Sequence, residues 1–319
     1  MSMEHRDVVI VGAGLTGIGA AYHLGEKCPD RSYLLLESRQ AMGGTWDLFR
    51  YPGIRSDSDM HTLGYSFKPW ESKKAIADGP SILKYVRETA AENAIEQHIR
   101  YGHRLISASW CSKQAVWTLD IRQDNSDAVV QMTCNFLYMC AGYYNYDQPH
   151  DPQFPEVDSF KGTLVHPQFW PKDLDYQDKR VVIVGSGATA LTLLPAMTDK
   201  AKQVTMLQRS PTYVLTRASE DSIANGLRKI LPATWAYAIT RVKNTLSQEV
   251  LFKQAQAFPK IAKRFFIGQV RKKLSKGYDI DKHFTPKYFP WDQRLCLVPD
   301  EDMFEAINSG GANVVTHHI

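Results

Sequence analysis

The sequence predicts an α/β fold, because a βαβ unit with a glycine-rich turn occurs twice and a long helical segment follows the second copy. The two units run from about residue 7 to 37 and from about residue 180 to 208. In each unit an apolar strand leads through the glycine turn into a helix. This arrangement is typical of Rossmann-like domains, in which the helix N-terminus faces the pyrophosphate of a dinucleotide. We therefore expect two three-layer dinucleotide-binding domains, with a helical insertion in the second.

The first unit contains the turn Gly12-x-Gly14-x-x-Gly17 after an apolar strand. Gly12 permits the tight turn, Gly14 lets the backbone approach a pyrophosphate, and Gly17 lets the helix pack close to the strand. Glu37 lies 20 residues after Gly17, at the end of the second strand. A carboxylate there accepts hydrogen bonds from ribose hydroxyls and repels a 2′-phosphate. The first site is therefore predicted to hold FAD or NAD rather than NADP.

The second unit repeats the turn as Gly185-x-Gly187-x-x-Ala190, and its second strand ends in Gln208-Arg209-Ser210. Arg209 stands near the position that Glu37 has in the first unit. A guanidinium binds a 2′-phosphate through two parallel hydrogen bonds, so this site is predicted to prefer NADP. The predicted site also includes Ser186, Ala188, Thr189 and Ser210.

Bulk properties restrict the class of protein. The 319 residues suffice for about two domains. The chain contains no apolar run of the roughly 18 residues that span a bilayer, and its N-terminus lacks a signal-peptide pattern. The five cysteines form no C-x-x-C pair, which favours reduced thiols over disulfides. These features predict a cytoplasmic protein without a metal site or a transmembrane segment.

The net charge of +4 comes largely from basic residues between Arg228 and Lys276. They alternate with large apolar residues at helical spacing, as in the series Trp235, Ile239, Val242 and Leu246. Solvated helix faces are the simplest interpretation, and a peripheral membrane contact is a weaker alternative. The segment matches no nucleic-acid-binding motif, so no nucleic-acid partner is expected.

Composition changes suggest domain bounds. The expected parts are an FAD-binding part at 1–142, a connector at 143–179, the first part of an NADP-binding domain at 180–217, a helical insertion at 218–290, and the start of a return to the NADP domain at 291–319.

The connector contains Phe160-x-Gly162-x-x-x-His166-x-x-x-Trp170-Pro171. This segment resembles the fingerprint of Baeyer–Villiger monooxygenases, which use FAD and NADPH to insert oxygen beside a carbonyl. A second family signature is matched by Gly44-x-Trp46-x-x-x-x-Tyr51-Pro52-Gly53-x-x-x-Asp57. The resemblance spans the whole chain and is densest in GGTWDLFRYPGIRSDSDM, CAGYYNYD, GSGATA, MLQRSPTY and PWDQRLCLVP. The sequence gives His166 no local partner, so it is treated as a motif residue rather than an acid or base.

The resemblance implies an FAD- and NADPH-dependent reaction with O2, in which a peroxide formed on the flavin attacks a ketone to give an ester or lactone. The same chemistry oxidises sulfur in thioethers or thioamides. Small ketones or sulfur compounds and O2 are therefore the expected partners.

The resemblance also assigns roles to residues. Arg294 is the implied cation that stabilises the reacting anion, and Asp57 is the carboxylate that orients it. Other cofactor contacts implied by the family match are Thr16, Thr45, Trp46, Asp47 and Leu48 for the flavin, Arg55 and Ser56 for the nicotinamide cofactor, and the backbone of Leu105 for the adenine.

The chain departs from the family in two respects. Gln293 replaces a lysine that precedes the key arginine in many ketone-oxidising members, which leaves more of the 2′-phosphate binding to Arg209. The family continues for well over a hundred further residues, so the C-terminal return segments are expected to be missing, with weak FAD binding as a consequence. The alternatives are an N- or S-oxidising flavin-containing monooxygenase, another flavoprotein with two dinucleotides, and a non-catalytic nucleotide-binding remnant.

Overall fold

The computed structural model describes residues 3–124 and 126–318. Within these residues the strands are β1 (Glu4–Val11), β2 (Tyr33–Leu36), β3 (Ile99–Arg100), β4 (His103–Cys111), β5 (Val116–Gln123), β6 (Ser126–Met139), β7 (Arg180–Val184), β8 (Gln203–Gln208), β9 (Tyr213–Arg217), β10 (Leu295–Pro299) and β11 (Ala312–Thr316).

The α-helices in the same residues are α1 (Leu15–Lys27), α2 (Thr45–Leu48), α3 (Met60–Leu63), α4 (Gly79–Glu92), α5 (Ala188–Ala196), α6 (Ser222–Leu227), α7 (Ala233–Ala257), α8 (Pro259–Lys273), α9 (Ile280–His283) and α10 (Asp302–Asn308). Short 3₁₀ turns lie at Glu96–His98, Val157–Ser159 and Pro167–Phe169.

The chain divides into two compact units. The first comprises the residues up to Phe49 together with Gly79–His150, and the second comprises Arg50–Asp78 together with the residues from Asp151 onward. The segment Arg50–Asp78 therefore belongs to the second unit although it interrupts the first in sequence.

The first unit is built on a mixed sheet of order β3-β2-β1-β6-β5-β4. Strands β3, β2, β1 and β6 are parallel, and β6, β5 and β4 form an antiparallel meander. Its core joins the two parts of the sheet through Val9, Leu34, Leu36, Leu119, Ile121, Met132 and Cys134, none more than 5% exposed. The continuous apolar runs of β1 and β2 are those of strands buried on both faces. The predicted α/β fold with a parallel βαβ unit is confirmed here.

The second unit contains a parallel sheet of order β11-β8-β7 and a separate parallel pair, β10 and β9. Helices α5 and α10 contact each other and supply much of its core, including Leu194, Met303 and Phe304. Strands β7 and β8 coincide closely with the two strands of the second predicted βαβ unit, and β11 lies within residues 291–319. Strands β9 and β10 were not predicted, since each is a short run whose pairing depends on a partner about 80 residues away.

The helical insertion is confirmed as α6 to α9, but its apolar spacing does not mark a buried face. Trp235, Ile239, Val242 and Leu246 all lie on α7 and are 45–66% exposed. In the connector, the rings of Phe160 and Phe169 are 58% and 48% exposed, although large aromatic side chains usually favour burial.

Candidate functional site

The first glycine turn, in the first unit, has the geometry of a dinucleotide loop. Gly12 has a φ of +106°, and a Cβ there would lie 2.5 Å from the carbonyl oxygen of Cys140. A Cβ at Gly17 would overlap the carbonyl oxygen of Gly12, so helix α1 packs against the turn as closely as a glycine allows. A Cβ at Gly14, in contrast, would meet nothing closer than 3.6 Å. Packing within the protein therefore requires Gly12 and Gly17, and Gly14 leaves room for a ligand.

Glu37 is buried directly beneath this turn. Its carboxylate accepts hydrogen bonds from the backbone N–H of Ala13 and from that of Arg39, both at 2.9 Å. Only 5% of the residue is exposed. These two bonds fix the carboxylate between the end of β2 and the turn, and each oxygen keeps a lone pair for a further donor.

A second glycine pair closes on the same turn. Gly43 and Gly44 have φ angles of +114° and +56°, and the Gly43 N–H donates to the Ala13 carbonyl at 2.9 Å. A Cβ at Gly44 would lie 3.2 Å from the Cα of Gly14. The structure thus brings α2, which starts at Thr45, against the first glycine turn.

Helix α2 is held by charges that sequence reasoning did not identify. The Asp47 carboxylate is 4% exposed and pairs with Arg39 at 2.6 Å and with Arg87 at 2.9 Å. The Thr45 hydroxyl lies 3.3 Å from the Tyr146 hydroxyl. Asp47 was expected to contact the cofactor, and here it anchors its helix within the first unit.

The remaining residues predicted for the first site occupy varied positions. Thr16 is exposed in the first turn of α1, and Trp46 and Leu48 are half-buried on α2. Leu105 lies on β4 at an irregularity in the pairing with β5 and packs against the core of the unit. Strand β4 begins next to the end of β2, where the His103 N–H donates to the Glu37 carbonyl at 2.9 Å.

The second glycine turn, in the second unit, repeats the arrangement. Gly185 has a φ of +125°, and its N–H donates to the Leu207 carbonyl at 2.8 Å. Gly187 precedes α5, which leaves the N–H groups of Ala188, Thr189 and Ala190 at the helix N-terminus. The Ser186 hydroxyl donates to the Ser210 carbonyl at 3.3 Å and ties the turn to the end of β8. An N-terminus of this kind favours an anionic phosphate.

Arg209 directly follows β8 and is exposed, as is Ser210. Among the residues that the structure describes, the Arg209 guanidinium forms no ion pair. It therefore remains available for an anion beside the second turn.

The later part of the second family signature, from Tyr51 to Asp57, packs on the second glycine turn. The Tyr51 hydroxyl hydrogen-bonds Thr189, and burial raises the pKa of this phenol, although that hydrogen bond and the charge of Arg55 oppose the rise. Gly53 has a φ of +72°, and a Cβ there would lie 2.6 Å from the Cβ of Ala196 on α5. The left-handed glycine thus allows the segment to lie directly against the helix.

Arg55 and Ser56 have partners within the second unit. The Arg55 guanidinium pairs with Asp302 through both nitrogens, one of them at 3.3 Å. The Ser56 hydroxyl donates to the Ser58 carbonyl at 2.8 Å, and its backbone N–H donates to Ala77 at 2.9 Å. Asp302 was missed because it is 247 positions away from Arg55 and belongs to no recognisable motif.

The charges of Asp57 and Arg294 both act on a third residue, the buried Cys296. Burial raises the pKa of the Cys296 thiol, the charge of Arg294 lowers it, and the charge of Asp57 raises it. The Arg294 guanidinium also lies against the second turn, since a Cβ at Gly187 would overlap it. In the described part of the chain Asp57 and Arg294 form no direct ion pair, and both are exposed. Of the two residues predicted to be catalytic, Arg294 therefore lies at the second glycine turn, whereas Asp57 is related to it only through the charge that each exerts on Cys296.

The Arg294 backbone is fixed by two hydroxyl groups. Thr212 and Tyr288 donate to its carbonyl oxygen at 3.1 Å and 3.0 Å. This leaves the guanidinium exposed on a firmly held backbone at the start of β10.

The connector motif has a local structural role. The His166 Nδ1 accepts a hydrogen bond from the Gln168 N–H at 3.2 Å and caps the 3₁₀ turn that follows. Trp170 packs edge-on against Tyr176, with ring centroids 6.4 Å apart. A side chain at Gly162 would collide with the ring of Phe160.

The described residues lack the features of a membrane span and of a metal site. They contain no helix that combines the length and the apolar character needed to cross a membrane. They also contain no group of three or more histidine, cysteine, aspartate or glutamate side chains placed to bind a metal ion.

Two family models match the chain. Residues 69–265 match the flavin-binding monooxygenase-like family, and residues 10–72 match the NAD(P)-binding Rossmann-like domain.

Among curated relatives, the FAD-containing monooxygenase EthA of Mycobacterium tuberculosis is 52% identical over 317 residues, which cover 99% of this chain and 64% of that protein. The chain thus spans about 64% of the length of the EthA proteins that it matches.

Solved structures show the same fold. An oxidised steroid monooxygenase bound to NADP superposes with a TM-score of 0.79 at 23% identity, over 98% of this chain and 65% of that one. A cyclohexanone-bound cyclohexanone monooxygenase superposes with a TM-score of 0.78 at 18% identity, over 99% of this chain and 67% of that one. With the family match covering more than half of its length, the chain belongs to the flavin-binding monooxygenase-like family.

Proposed function

We propose that the protein is an FAD- and NADPH-dependent monooxygenase that transfers one oxygen atom of O2 to a ketone, giving an ester or lactone, or to the sulfur of a thioether or thioamide. The other oxygen atom leaves as water, and NADPH supplies the two electrons that the balance requires. The observation that carries the proposal is the position of the Arg294 guanidinium against the second glycine turn, with Asp57 in the same unit.

The first unit fits FAD. Gly12 and Gly17 shape a turn with space at Gly14, and the fixed Glu37 carboxylate suits a ribose hydroxyl rather than a phosphate. Thr16 and the α2 residues Thr45, Trp46, Asp47 and Leu48 lie on the two segments that meet there, and Leu105 lies on the neighbouring strand. On this basis we assign FAD binding to the first unit, which is the expected part at 1–142 without Arg50–Asp78 and extends to His150.

The second unit fits NADPH. The N-terminus of α5 faces its glycine turn, and Arg209 offers an exposed guanidinium for the 2′-phosphate. Arg55 and Ser56 lie on the segment that packs on this turn. We assign residues 180–217 and 291–319 to the NADP-binding part, with the insertion at 218–290 between them.

Arg294 and Asp57 are the charged residues that would act in the reaction. When FAD is bound and reduced by NADPH, it activates O2. A fixed guanidinium stabilises negative charge that develops on oxygen, and it does not give up a proton to that oxygen. Asp57, whose charge opposes that of Arg294 at Cys296, would help to orient the guanidinium.

The fixed positive charge favours a ketone substrate over a sulfur compound. A carbonyl carbon reacts with an anionic oxygen donor, which a guanidinium stabilises, whereas sulfur requires an electrophilic donor. The superposition on a cyclohexanone-bound enzyme supports this choice. We place the reaction in the cytoplasm, because the five cysteines are free thiols, as expected in a reducing compartment.

The test is oxygen transfer by the protein supplied with FAD, NADPH and a panel of cyclic ketones and thioethers. O2 uptake and product are measured together, by oxygen electrode and mass spectrometry. Arg294→Ala should still permit reduction of the flavin by NADPH but should lose product, with the consumed O2 appearing as hydrogen peroxide. Arg180→Ala is the matched control, because Arg180 is an exposed arginine at the opposite end of β7 from the turn.

Ester formation by Arg294→Ala at the unaltered rate would remove Arg294 from the reaction. A protein that oxidises NADPH without forming any oxygenated product would instead favour another class of two-nucleotide flavoprotein.

A further inference from the structure

Helix α7 buries a largely polar face and exposes an apolar one. Its buried residues are Ala236, Tyr237, Thr240, Asn244 and Ala255. Its exposed face carries Trp235, Ile239, Val242, Leu246 and Val250, which are 45–66% exposed. These five are spaced 4, 3, 4 and 4 residues apart, so they form one continuous stripe along four turns of the helix. A helix of a folded protein ordinarily shows the opposite arrangement, with its apolar stripe turned inward.

Specific hydrogen bonds fix this orientation. The Asn244 and Gln248 side-chain amides donate to the Asp59 carboxylate at 2.9 Å and 3.1 Å. On the same side, the Tyr237 hydroxyl donates to the Tyr65 carbonyl at 2.9 Å. Rotation of the helix to bury the stripe would break these bonds and deprive the buried Asp59 carboxylate of its two amide donors, and lost hydrogen bonds to a charged group are costly. The stripe therefore faces outward as a consequence of the fold.

Helix α8 follows directly and combines exposed apolar and basic side chains. Ile261 and Phe265 are 65% and 53% exposed. Lys260, Arg264 and Lys272 share the solvent side of this helix and form no ion pair with any residue in the described parts of the chain. Unpaired cations beside exposed aromatic and aliphatic groups suit a surface that is both apolar and negatively charged.

The charge of this region differs from that of the rest of the protein. Residues 233–276 contain ten lysines and arginines but only one acidic residue, Glu249. The region thus has a net charge of +9, whereas the whole chain has +4 and the remainder therefore −5. A second copy of the chain docked face to face would bring two such regions together, which like-charge repulsion opposes.

We propose that the exposed faces of α7 and α8, here called the α7–α8 surface, bind the headgroup region of an anionic lipid bilayer. The apolar stripe inserts at the level of the headgroups while the basic side chains contact lipid phosphates, as in other interfacial amphipathic helices. Trp235 has the amphipathic ring that is favoured at this depth. The inference is independent of the proposed oxygen transfer, since it requires neither FAD nor NADPH.

The experiment is co-sedimentation of the full 319-residue chain with vesicles of phosphatidylcholine alone and of equal parts phosphatidylcholine and phosphatidylglycerol. Binding is expected only to the anionic vesicles and should weaken as salt screens the phosphates. The variant Lys260→Gln/Arg264→Gln/Lys272→Gln should bind on the order of a hundredfold more weakly, since each basic residue near an anionic surface contributes about 1 kcal/mol. The matched control is Lys161→Gln/Lys172→Gln/Lys202→Gln, three exposed lysines elsewhere in the same unit.

The apolar stripe is tested by Ile239→Gln/Val242→Gln/Leu246→Gln, with Val182→Gln as a control at an exposed apolar position on β7. Circular dichroism and thermal unfolding verify that each variant folds. Vesicle binding should also shift the tryptophan fluorescence to the blue, and Trp235→Phe should remove most of that shift while leaving the fold unaltered.

Three outcomes would overturn the proposal. They are absence of binding to anionic vesicles at low salt, equal binding to both kinds of vesicle, and undiminished binding by both triple variants of the surface. If light scattering shows a dimer that the stripe variant abolishes while vesicles stay unbound, the occupant is a second copy and the lipid proposal is wrong.

Discussion

Replacement of Gly17 by alanine tests the geometry of the first nucleotide turn. The added Cβ would overlap the Gly12 carbonyl oxygen and lie 3.0 Å from its carbonyl carbon. The contact with that oxygen would be 1.9 Å, and real Cβ atoms essentially never approach another heavy atom closer than 3.0 Å, so the Cβ and the oxygen must move apart by about 1 Å. Overpacking of this kind costs about 1–3 kcal/mol, which lowers the melting temperature by roughly 2–12 °C for a domain of ordinary size. The displaced helix N-terminus should also bind FAD more weakly.

Gly14→Ala is the matched control, because its Cβ would meet no protein atom within 3.6 Å. It should melt within about 1 °C of the original protein, yet lose FAD affinity, since the methyl group occupies the space reserved for the pyrophosphate. Thermal unfolding without ligand and fluorescence titration with FAD separate the two effects. If Gly17→Ala melts normally and Gly14→Ala binds FAD normally, the account of this turn is refuted.

Two further predictions concern the second unit. Arg209→Gln should weaken NADP+ binding roughly 10- to 150-fold, because it removes a hydrogen bond to a charged group, but should leave NAD+ binding nearly unaltered. Calorimetry measures both affinities, with Lys202→Gln as the control variant. Equal losses for both nucleotides would contradict a role at the 2′-phosphate. Burial alone raises the pKa of Asp59, but nearby His61 and Asn244 and the charge of Arg217 outweigh it and hold that pKa below its ordinary value. The resulting stability is present above the unfolded pKa of about 3.9 and is lost as the pH falls below it. Asp59→Asn should therefore flatten the acid side of a plot of unfolding free energy against pH, measured by chemical denaturation. An unaltered plot would exclude this carboxylate as the cause.

Local features were predictable from the sequence. Each glycine turn is specified within about 30 residues, because the strand, the turn and the helix start follow one another directly. Gly12 and Gly17 have the steric roles that the spacing indicates. The acid at Glu37 lies where the spacing places it, although its carboxylate is held by backbone N–H groups that no side-chain pattern reveals.

Long-range partners were not predictable from local patterns. Asp57 and Arg294 are far apart in sequence, and only the family resemblance related them. The pair Arg55 and Asp302 has no sequence signal at all. The exposed stripe on α7 shows a further limit, since apolar periodicity predicts a helix but does not say which face the remainder of the protein covers. There the buried face was selected by polar groups, above all Asn244.

The interruption of the first unit by Arg50–Asp78 has a practical consequence for dissection of the protein. A polypeptide that began at Asp151 would lack Asp59, which α7 contacts through Asn244, and Arg55, which pairs with Asp302 on α10. Such a fragment should aggregate or unfold even though it contains a complete βαβ unit. The second unit can be isolated only as a chimaera in which the segment Arg50–Asp78 is joined to the later residues. Such a design needs at least a linker between the two stretches.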